Sequence, residues 1–290
     1  LTVVSLTFLV VFGLKAGLLL FFWLPGSYSV PPTAVQALFA ALLTKVGMYA
    51  LFRTFMLMFP LQPEITHTVI GVMAGVTIIA GCMGALAGRD VRTIATYNVI
   101  ISVGFILVAL AIGTESAMAG AVYYLVHDIL GRAFLFLLTG TMVLVTGEIV
   151  VKNMNGLIRI YPLFGWMFFI MMCALVGIPP LSGFIGKVLI GQGAVETESY
   201  ILLALAFGSS IIVMYSLLRI FLASFFGETS INEEDKMPIP RSVMASFVLL
   251  AIFIIGLGVG AEGLAVYVND AAYTLSNPSV YIDAILNTNK

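Results

Sequence analysis

Long apolar runs, interrupted at intervals by short polar or Pro/Gly-rich stretches, dominate the chain. They mark out eight segments of membrane-spanning length: roughly Thr2–Trp23, Ala34–Phe59, His67–Gly88, Thr93–Gly113, Ser116–Thr146, Tyr161–Val195, Tyr200–Phe226 and Val243–Tyr267. The connections carry turn signals, namely Leu24-Pro-Gly-Ser27, Pro31-Pro32, Pro60 and Pro63, Lys152-Asn-Met-Asn-Gly156, and Pro238 and Pro240. The acidic stretch Glu228 to Asp235 is expected to be a solvated connection. The sixth segment departs from the pattern. Its apolar run reaches Pro179-Pro180, restarts at Ser182-Gly183 and then carries Lys187. Proline has no N–H and clashes with the carbonyl one turn back, so the helix must open at this point. In a bilayer, freed carbonyls are tolerated only where protein or a water-filled cavity surrounds them. A broken helix followed by a buried lysine points to an ion path. The plainer alternative is a kink beside a snorkelling lysine.

Composition fixes the class. Of 290 residues, 61% are hydrophobic and 9% charged, with a mean hydropathy of +1.13. This is an all-α polytopic membrane protein forming one membrane domain over residues 1–290. A net charge of −1 without a basic stripe offers nothing to nucleic acid. Cys82 and Cys173 stand alone in apolar runs, so a metal site, an iron–sulfur cluster or a disulfide framework is not expected, and no cofactor is implied. The chain opens inside an apolar segment, at Leu1, which suggests a piece of a longer membrane protein.

Loop charge alternates. Arg89 with Arg92, Lys152 with Arg159, and Lys236 with Arg241 fall in alternate connections; the others hold Glu64, Glu115, Glu196 and Glu198 and no lysine or arginine. The positive-inside rule puts the basic set in the cytoplasm, so the chain enters and leaves on the outer side.

Polar residues inside the spans are the candidates for chemistry. Lys15 lies in the second half of the first segment, between Gly13 and Gly17, whose spacing lets a neighbouring helix approach. Lys45 is near the middle of the second, in Leu42-Leu-Thr-Lys-Val-Gly-Met48. A lysine in mid-bilayer costs at least about 2.5–3.5 kcal/mol on insertion scales. Three of them (Lys15, Lys45 and Lys187) suit proton relay better than structural ion pairing. The fifth segment holds Tyr123-Tyr-Leu-Val-His127-Asp128-Ile-Leu-Gly-Arg132. Asp128 and Arg132 are one turn apart and are expected to pair. His127 exchanges protons near neutrality, whereas arginine effectively never releases one. His127 is therefore either a relay or a satisfied core residue, while Asp128 and Arg132 set the local field. Thr44, Tyr97, Asn98, Ser102, Ser209, Ser210 and Tyr215 could support water chains, but none stands out singly. Arg53 and Arg219, near span ends, are expected to snorkel, and His67 to be structural. Gly256-Leu-Gly-Val-Gly-Ala-Glu-Gly263 looks like a dinucleotide fingerprint but ends a membrane segment, so the strand–helix context of that motif is missing.

These residues carry a resemblance. Phe12-Gly-Leu-Lys-Ala16 with Phe22-Trp-Leu-Pro-Gly-Ser-Tyr28, Ala37-Leu-Phe-Ala-Ala-Leu-Leu-Thr-Lys-Val-Gly-Met-Tyr-Ala-Leu51, and Arg89-Asp90 with Arg92 and Ala95-Thr-Tyr97 resemble the antiporter-like subunits shared by respiratory complex I and multisubunit cation/proton antiporters. Within that superfamily, Tyr124-Leu-Val-His-Asp128, Gly156-Leu-Ile-Arg-Ile-Tyr-Pro-Leu-Phe-Gly-Trp-Met-Phe-Phe169 and Pro179-Pro-Leu-Ser-Gly-Phe-Ile-Gly-Lys187 are similar to the D-type subunits of Mrp-type sodium/proton antiporters. The resemblance covers essentially the whole chain. It implies the C-terminal eight helices of a fourteen-helix subunit built from two inverted repeats, with broken helices, in a bacterial plasma membrane. It also implies a hetero-oligomeric assembly exchanging external H+ for internal Na+, with no covalent chemistry of its own. Lys15 would be the lysine of the first broken helix, Lys45 the central relay, and Lys187 the lysine of the second broken helix, with the glutamate partner of Lys15 lying before residue 1. Arg132 departs from the family, which usually has a lysine after the His-Asp pair, so either His127 alone bridges Lys45 to Lys187 or Arg132 acts only electrostatically. Two rivals stay open: a proton-pumping subunit of an NADH–quinone oxidoreductase or membrane hydrogenase, and a structural subunit whose charges scaffold its neighbours. With Asp128 as the lone buried carboxylate, the chain suits a proton limb better than a sodium limb.

Overall fold

The structure, a computed structural model, describes residues 2–59, 63–228 and 237–286. Thirteen α-helices run through them: α1 (Thr2–Ala16), α2 (Trp23–Ser29), α3 (Thr33–Arg53), α4 (Pro63–Ala87), α5 (Val91–Ile112), α6 (Glu115–Thr146), α7 (Leu157–Ile160), α8 (Pro162–Val176), α9 (Ser182–Glu196), α10 (Tyr200–Phe225), α11 (Arg241–Val259), α12 (Ala261–Ser276) and α13 (Pro278–Leu286). A π-helical turn, Thr54–Met58, prolongs α3. Among the described residues six helices are long and apolar enough to cross a membrane, and α1 and α8 are shorter apolar helices.

Helix ends follow local chemistry. Asp90 accepts a 2.7 Å bond from Thr93 N and so starts α5; Thr114 does the same for α6 through Ala117 N at 3.2 Å. Gly113 and Gly147 close these two helices with left-handed φ values of 76° and 69°. The sixth predicted segment is broken as expected: α8 ends at Gly177 (φ 88°) and α9 begins at Ser182.

Two expectations need correction. The first segment, a single run over Thr2–Trp23 by hydropathy, is broken just after Lys15, where the family resemblance implies a broken helix. Gly17 (φ 81°) ends α1, Leu19 takes a positive φ with its N–H bonded to Thr77 Oγ1 at 2.8 Å, and the chain resumes as α2 as far as Ser29. The close approach assigned to Gly13 and Gly17 is made instead by Gly47 of α3, where a Cβ would stand 2.8 Å from the Lys15 carbonyl carbon. The last segment does not run on to Tyr267 either. It stops at Val259, and α12 and α13 follow as separate helices.

α6 is the axis of the bundle and packs against α3, α5, α8, α9, α11 and α12. α5 is buried almost throughout and lies between α4 and α6. The basic connections gather at one end. Val91 N bonds Ile149 O and Val151 N bonds Arg89 O, both at 3.1 Å, and Gly156 N bonds Phe226 O at 3.1 Å. Tyr161 donates to Met237 O at 2.6 Å on the same side. Lys236 and residues 229–235 of the predicted acidic connection lie outside the described residues. Arg219, near a span end, has its guanidinium at the terminus of a neighbouring helix. From α10 it donates to the carbonyls of Leu86 (2.9 Å), Ala85 (3.3 Å) and Gly88 (2.6 Å), capping the C-terminus of α4.

Candidate functional site

The polar core is built by α6 and the three helices that press closest to it. α9 lies against α6 because small residues face each other. A Cβ on Gly186 would stand 2.7 Å from Tyr124 Cβ, and one on Gly120 would stand 2.6 Å from Ile190 N. Gly183 sits tightest, against Ala174 O and 2.9 Å from His127 Nε2 by the same measure. This spacing brings the broken helix onto the His-Asp turn of α6.

Asp128 is the hub of the first cluster. Its carboxylate takes Lys45 Nζ at 2.8 Å, Arg132 Nε at 2.9 Å and Ser102 Oγ at 3.0 Å. All four residues are buried. The expected turn-to-turn pair with Arg132 is present, and Lys45 joins it across the α3–α6 interface, which the sequence did not predict. Lys45 also donates to Ala40 O at 2.9 Å. Arg132 Nη1 and Thr44 Oγ1 are buried with no partner among the described residues.

Lys187 is held differently. Beyond the break it folds back onto the open end of α8, donating to Leu175 O (3.2 Å) and Val176 O (2.7 Å), and to Ser210 Oγ of α10 (2.8 Å). The last carbonyls of a helix have no intrahelical donor and carry the negative end of its dipole, so they suit an ammonium. The rings of Phe105 and Tyr124 lie 5.6 Å and 5.9 Å from Nζ. Among the described residues Lys187 has no carboxylate partner.

His127 lies between the two lysines. It is fully buried, with Nδ1 2.7 Å from Ser182 Oγ, Nε2 unpartnered among the described residues, and its ring 5.2 Å from that of Tyr124. Tyr123 points away and donates to Leu257 O of α11 at 2.5 Å. Lys15 stands apart from this core. It closes α1 and is exposed on the outer face of the bundle, beside Leu14, Phe22 and Trp23. Pro179-Pro180 lies in the break itself. Gly258, from the run dismissed as a false fingerprint, seats α11 on it: a Cβ there would stand 2.7 Å from Leu181 C and Ser182 N.

Three serines complete the site. Ser102, Ser182 and Ser210 each bond one of the charged or titratable groups, whereas Ser209 bonds back to Ala206 O of its own helix. Ser209 and Ser210 could not be told apart without knowing which face of α10 meets α9.

Known proteins supply the lineage. The family model described as NADH:quinone oxidoreductase/Mrp antiporter, TM, matches residues 1–213. The chain is 45% identical over 289 residues to the D-type subunit of the Na(+)/H(+) antiporter of Bacillus subtilis, covering 98% of this chain and 58% of that protein. It is 41% identical over 288 residues to the protein of the same name from Alkalihalophilus pseudofirmus, covering 99% and 58%. The fold superposes on a chain of the Mrp complex from Dietzia sp. with a TM-score of 0.91 and 25% identity, covering 99% of this chain and 62% of that one. On a chain of respiratory complex I from Thermus thermophilus the TM-score is 0.85 with 26% identity, covering 94% and 58%. The chain thus spans somewhat over half the length of the curated relatives it matches. On the family match and on these identities, it belongs to the NADH:quinone oxidoreductase/Mrp antiporter membrane family.

Proposed function

We propose that this chain carries the proton limb of a multisubunit cation/proton antiporter, admitting external H+ while Na+ leaves the cell, as eight helices of a fourteen-helix subunit. The single observation that carries the reading is the file of buried groups through the bundle: Lys45 and Arg132 on Asp128, then His127 on Ser182, then Lys187 on the open end of α8. The relatives named as antiporter subunits support it, as does the Mrp complex among the structural neighbours.

The charges explain how a proton could move without stranding its partners. Arg132 is a fixed cation, so when Lys45 releases its proton Asp128 keeps a counterion. When Lys187 releases its proton, it leaves, among the described residues, carbonyls, a hydroxyl and aromatic faces behind. Each lysine can therefore cycle between charged and neutral without creating an unpaired buried carboxylate, which would be the costly state. His127 is the relay between them, and Pro179-Pro180 keeps open the carbonyls that receive Lys187.

Lys15 belongs to the same path through residues not on this chain's described face. A lysine exposed within an apolar segment is too costly to face lipid, so the α1 surface is covered by protein in the whole subunit. The curated relatives are long enough to supply that cover. The basic end of the bundle is cytoplasmic. Sodium crosses elsewhere in the assembly, because Asp128, the buried carboxylate among the described residues, is already held by two cations and Ser102.

The test is sodium-induced proton movement in everted vesicles bearing the full assembly, comparing native Lys187 with Lys187→Ala. The native assembly should respond, and the variant should assemble without responding. A second reading rests on the likeness to complex I at a TM-score of 0.85. If native vesicles ignore sodium and other cations but acidify on an electron donor, the chain is a redox-driven pump subunit. An intact response in Lys187→Ala would leave only a scaffolding role.

A further inference from the structure

We infer that Ser182, the first residue of α9, is a positioning residue that holds His127 in one ring orientation and one neutral tautomer, with the proton on Nε2. The inference rests on the relay role given to His127 above. Three observations converge on it. Ser182 and His127 are both fully buried, and their Oγ–Nδ1 separation of 2.7 Å is that of a well-formed hydrogen bond. Nε2 has no partner among the described residues. Around that nitrogen the space is cut by the backbone of Gly183, where a Cβ would stand 2.9 Å away, and by the Tyr124 ring. The ring cannot turn over without driving a carbon into Ser182 Oγ.

Counting donors selects the tautomer. If Ser182 donates to Nδ1, the proton sits on Nε2 and one buried donor is left open. If Nδ1 donates to Ser182 instead, the hydroxyl proton has no acceptor among the described residues and Nε2 becomes a bare acceptor as well. The first arrangement leaves fewer buried polar groups unmet. It also puts the mobile proton of the imidazole on the nitrogen that has no partner among the described residues, beside the backbone of Gly183. The break is therefore more than a gap for Lys187. Its far lip, α9, orients the neighbouring relay, while its near lip, α8, receives the lysine.

The experiment is a nitrogen-15 spectrum of histidine in the purified full assembly, with the His127 signals assigned by their loss in His127→Gln. Native protein should show one imidazole with a protonated Nε2 and an unprotonated Nδ1. Ser182→Ala should give a mixture of tautomers and lower sodium-driven proton movement about tenfold, the size of one lost hydrogen bond in a barrier. Ser182→Thr, which keeps the hydroxyl, should restore the single form. If Thr does not assemble, Ser182→Cys is read by the spectrum alone, with a tautomer ratio between native and Ala expected. A native-like spectrum in Ser182→Ala, or a native protein with the proton on Nδ1, overturns the inference. The spectrum requires no transport, so a native assembly that ignores sodium would sink the antiporter reading without touching this one.

Discussion

Lys45 and Lys187 are both buried, both on helices that flank α6, and held by opposite means. Lys45 is tied to a carboxylate that it shares with Arg132. Among the described residues, Lys187 meets neutral oxygens and aromatic faces. A side-chain ion pair and a helix end are different ways of hosting an ammonium in a low-dielectric interior. The first fixes charge in place through an acid that must stay ionised. The second offers partial charges that cost little when the ammonium becomes neutral. Asp128 should therefore be the residue on which the structure depends, and Lys187 one on which transport depends far more than folding does.

Replacing Asp128 tests the first half and should have the largest effect. Asp128→Asn strands two buried cations, Lys45 and Arg132. Removing one partner of a buried pair costs about 3–5 kcal/mol, so the thermal midpoint of the purified assembly should fall sharply and proton movement should vanish. Adding Lys45→Met to Asp128→Asn should recover part of the stability and none of the transport, because one of the stranded charges has been removed. Lys187→Ala tests the second half. It leaves two helix-end carbonyls without their donor, a loss of about 1–3 kcal/mol, while transport should be abolished. The contrast breaks if Lys187→Ala destabilises the assembly as much as Asp128→Asn does.

The seat of α11 on the helix break gives a smaller and sharper test. A methyl at Gly258 would press on the backbone of Leu181 and Ser182, whereas nothing lies within 4 Å of one at Gly256. Gly258→Ala should cost about 1–3 kcal/mol by overpacking and slow transport, because it shifts the residue that orients His127. Gly256→Ala, two residues away on the same helix, should behave as native in both thermal midpoint and proton movement.

Most of this fold could be read from the chain because its signals are local. α4, α5 and α6 begin and end within a few residues of the apolar runs, and the Pro pair marks the break after α8. The break after α1 and the stop at Val259 were hidden by a different cause: Gly17 and Gly260 turn the chain inside apolar runs that resume beyond them, with Lys15 and Glu262 as single charges nearby. The family's pattern placed a break at Lys15 where hydropathy could not. The candidate site divides along the same line. Asp128–Arg132 is a spacing within one helix and follows from the sequence. Lys45–Asp128, His127–Ser182 and Lys187–Ser210 each cross between helices, and their register is set by glycine contacts such as Gly186 on Tyr124. No one-dimensional pattern fixes which face of α10 carries its serine inward.

Arg132 sharpens the comparison from its quiet side. The guanidinium fork is suited to two parallel bonds with a carboxylate, yet here only Nε reaches Asp128, at 2.9 Å, and Nη1 has no partner among the described residues. Its contribution at this position is then a positive charge one turn from Asp128 rather than bidentate geometry. A lysine supplies that charge and removes an orphaned donor. Arg132→Lys should leave the thermal stability within about 1 kcal/mol of native, since charge and packing stem are kept. Proton movement should stay close to native as well, because Asp128 still has a cation when Lys45 is neutral. Complete loss of transport in an assembled Arg132→Lys protein would mean that the site needs a cation that cannot deprotonate. Asp128 would then depend on Arg132 alone through the whole cycle, and Lys45 would be the only member of the cluster free to carry a proton.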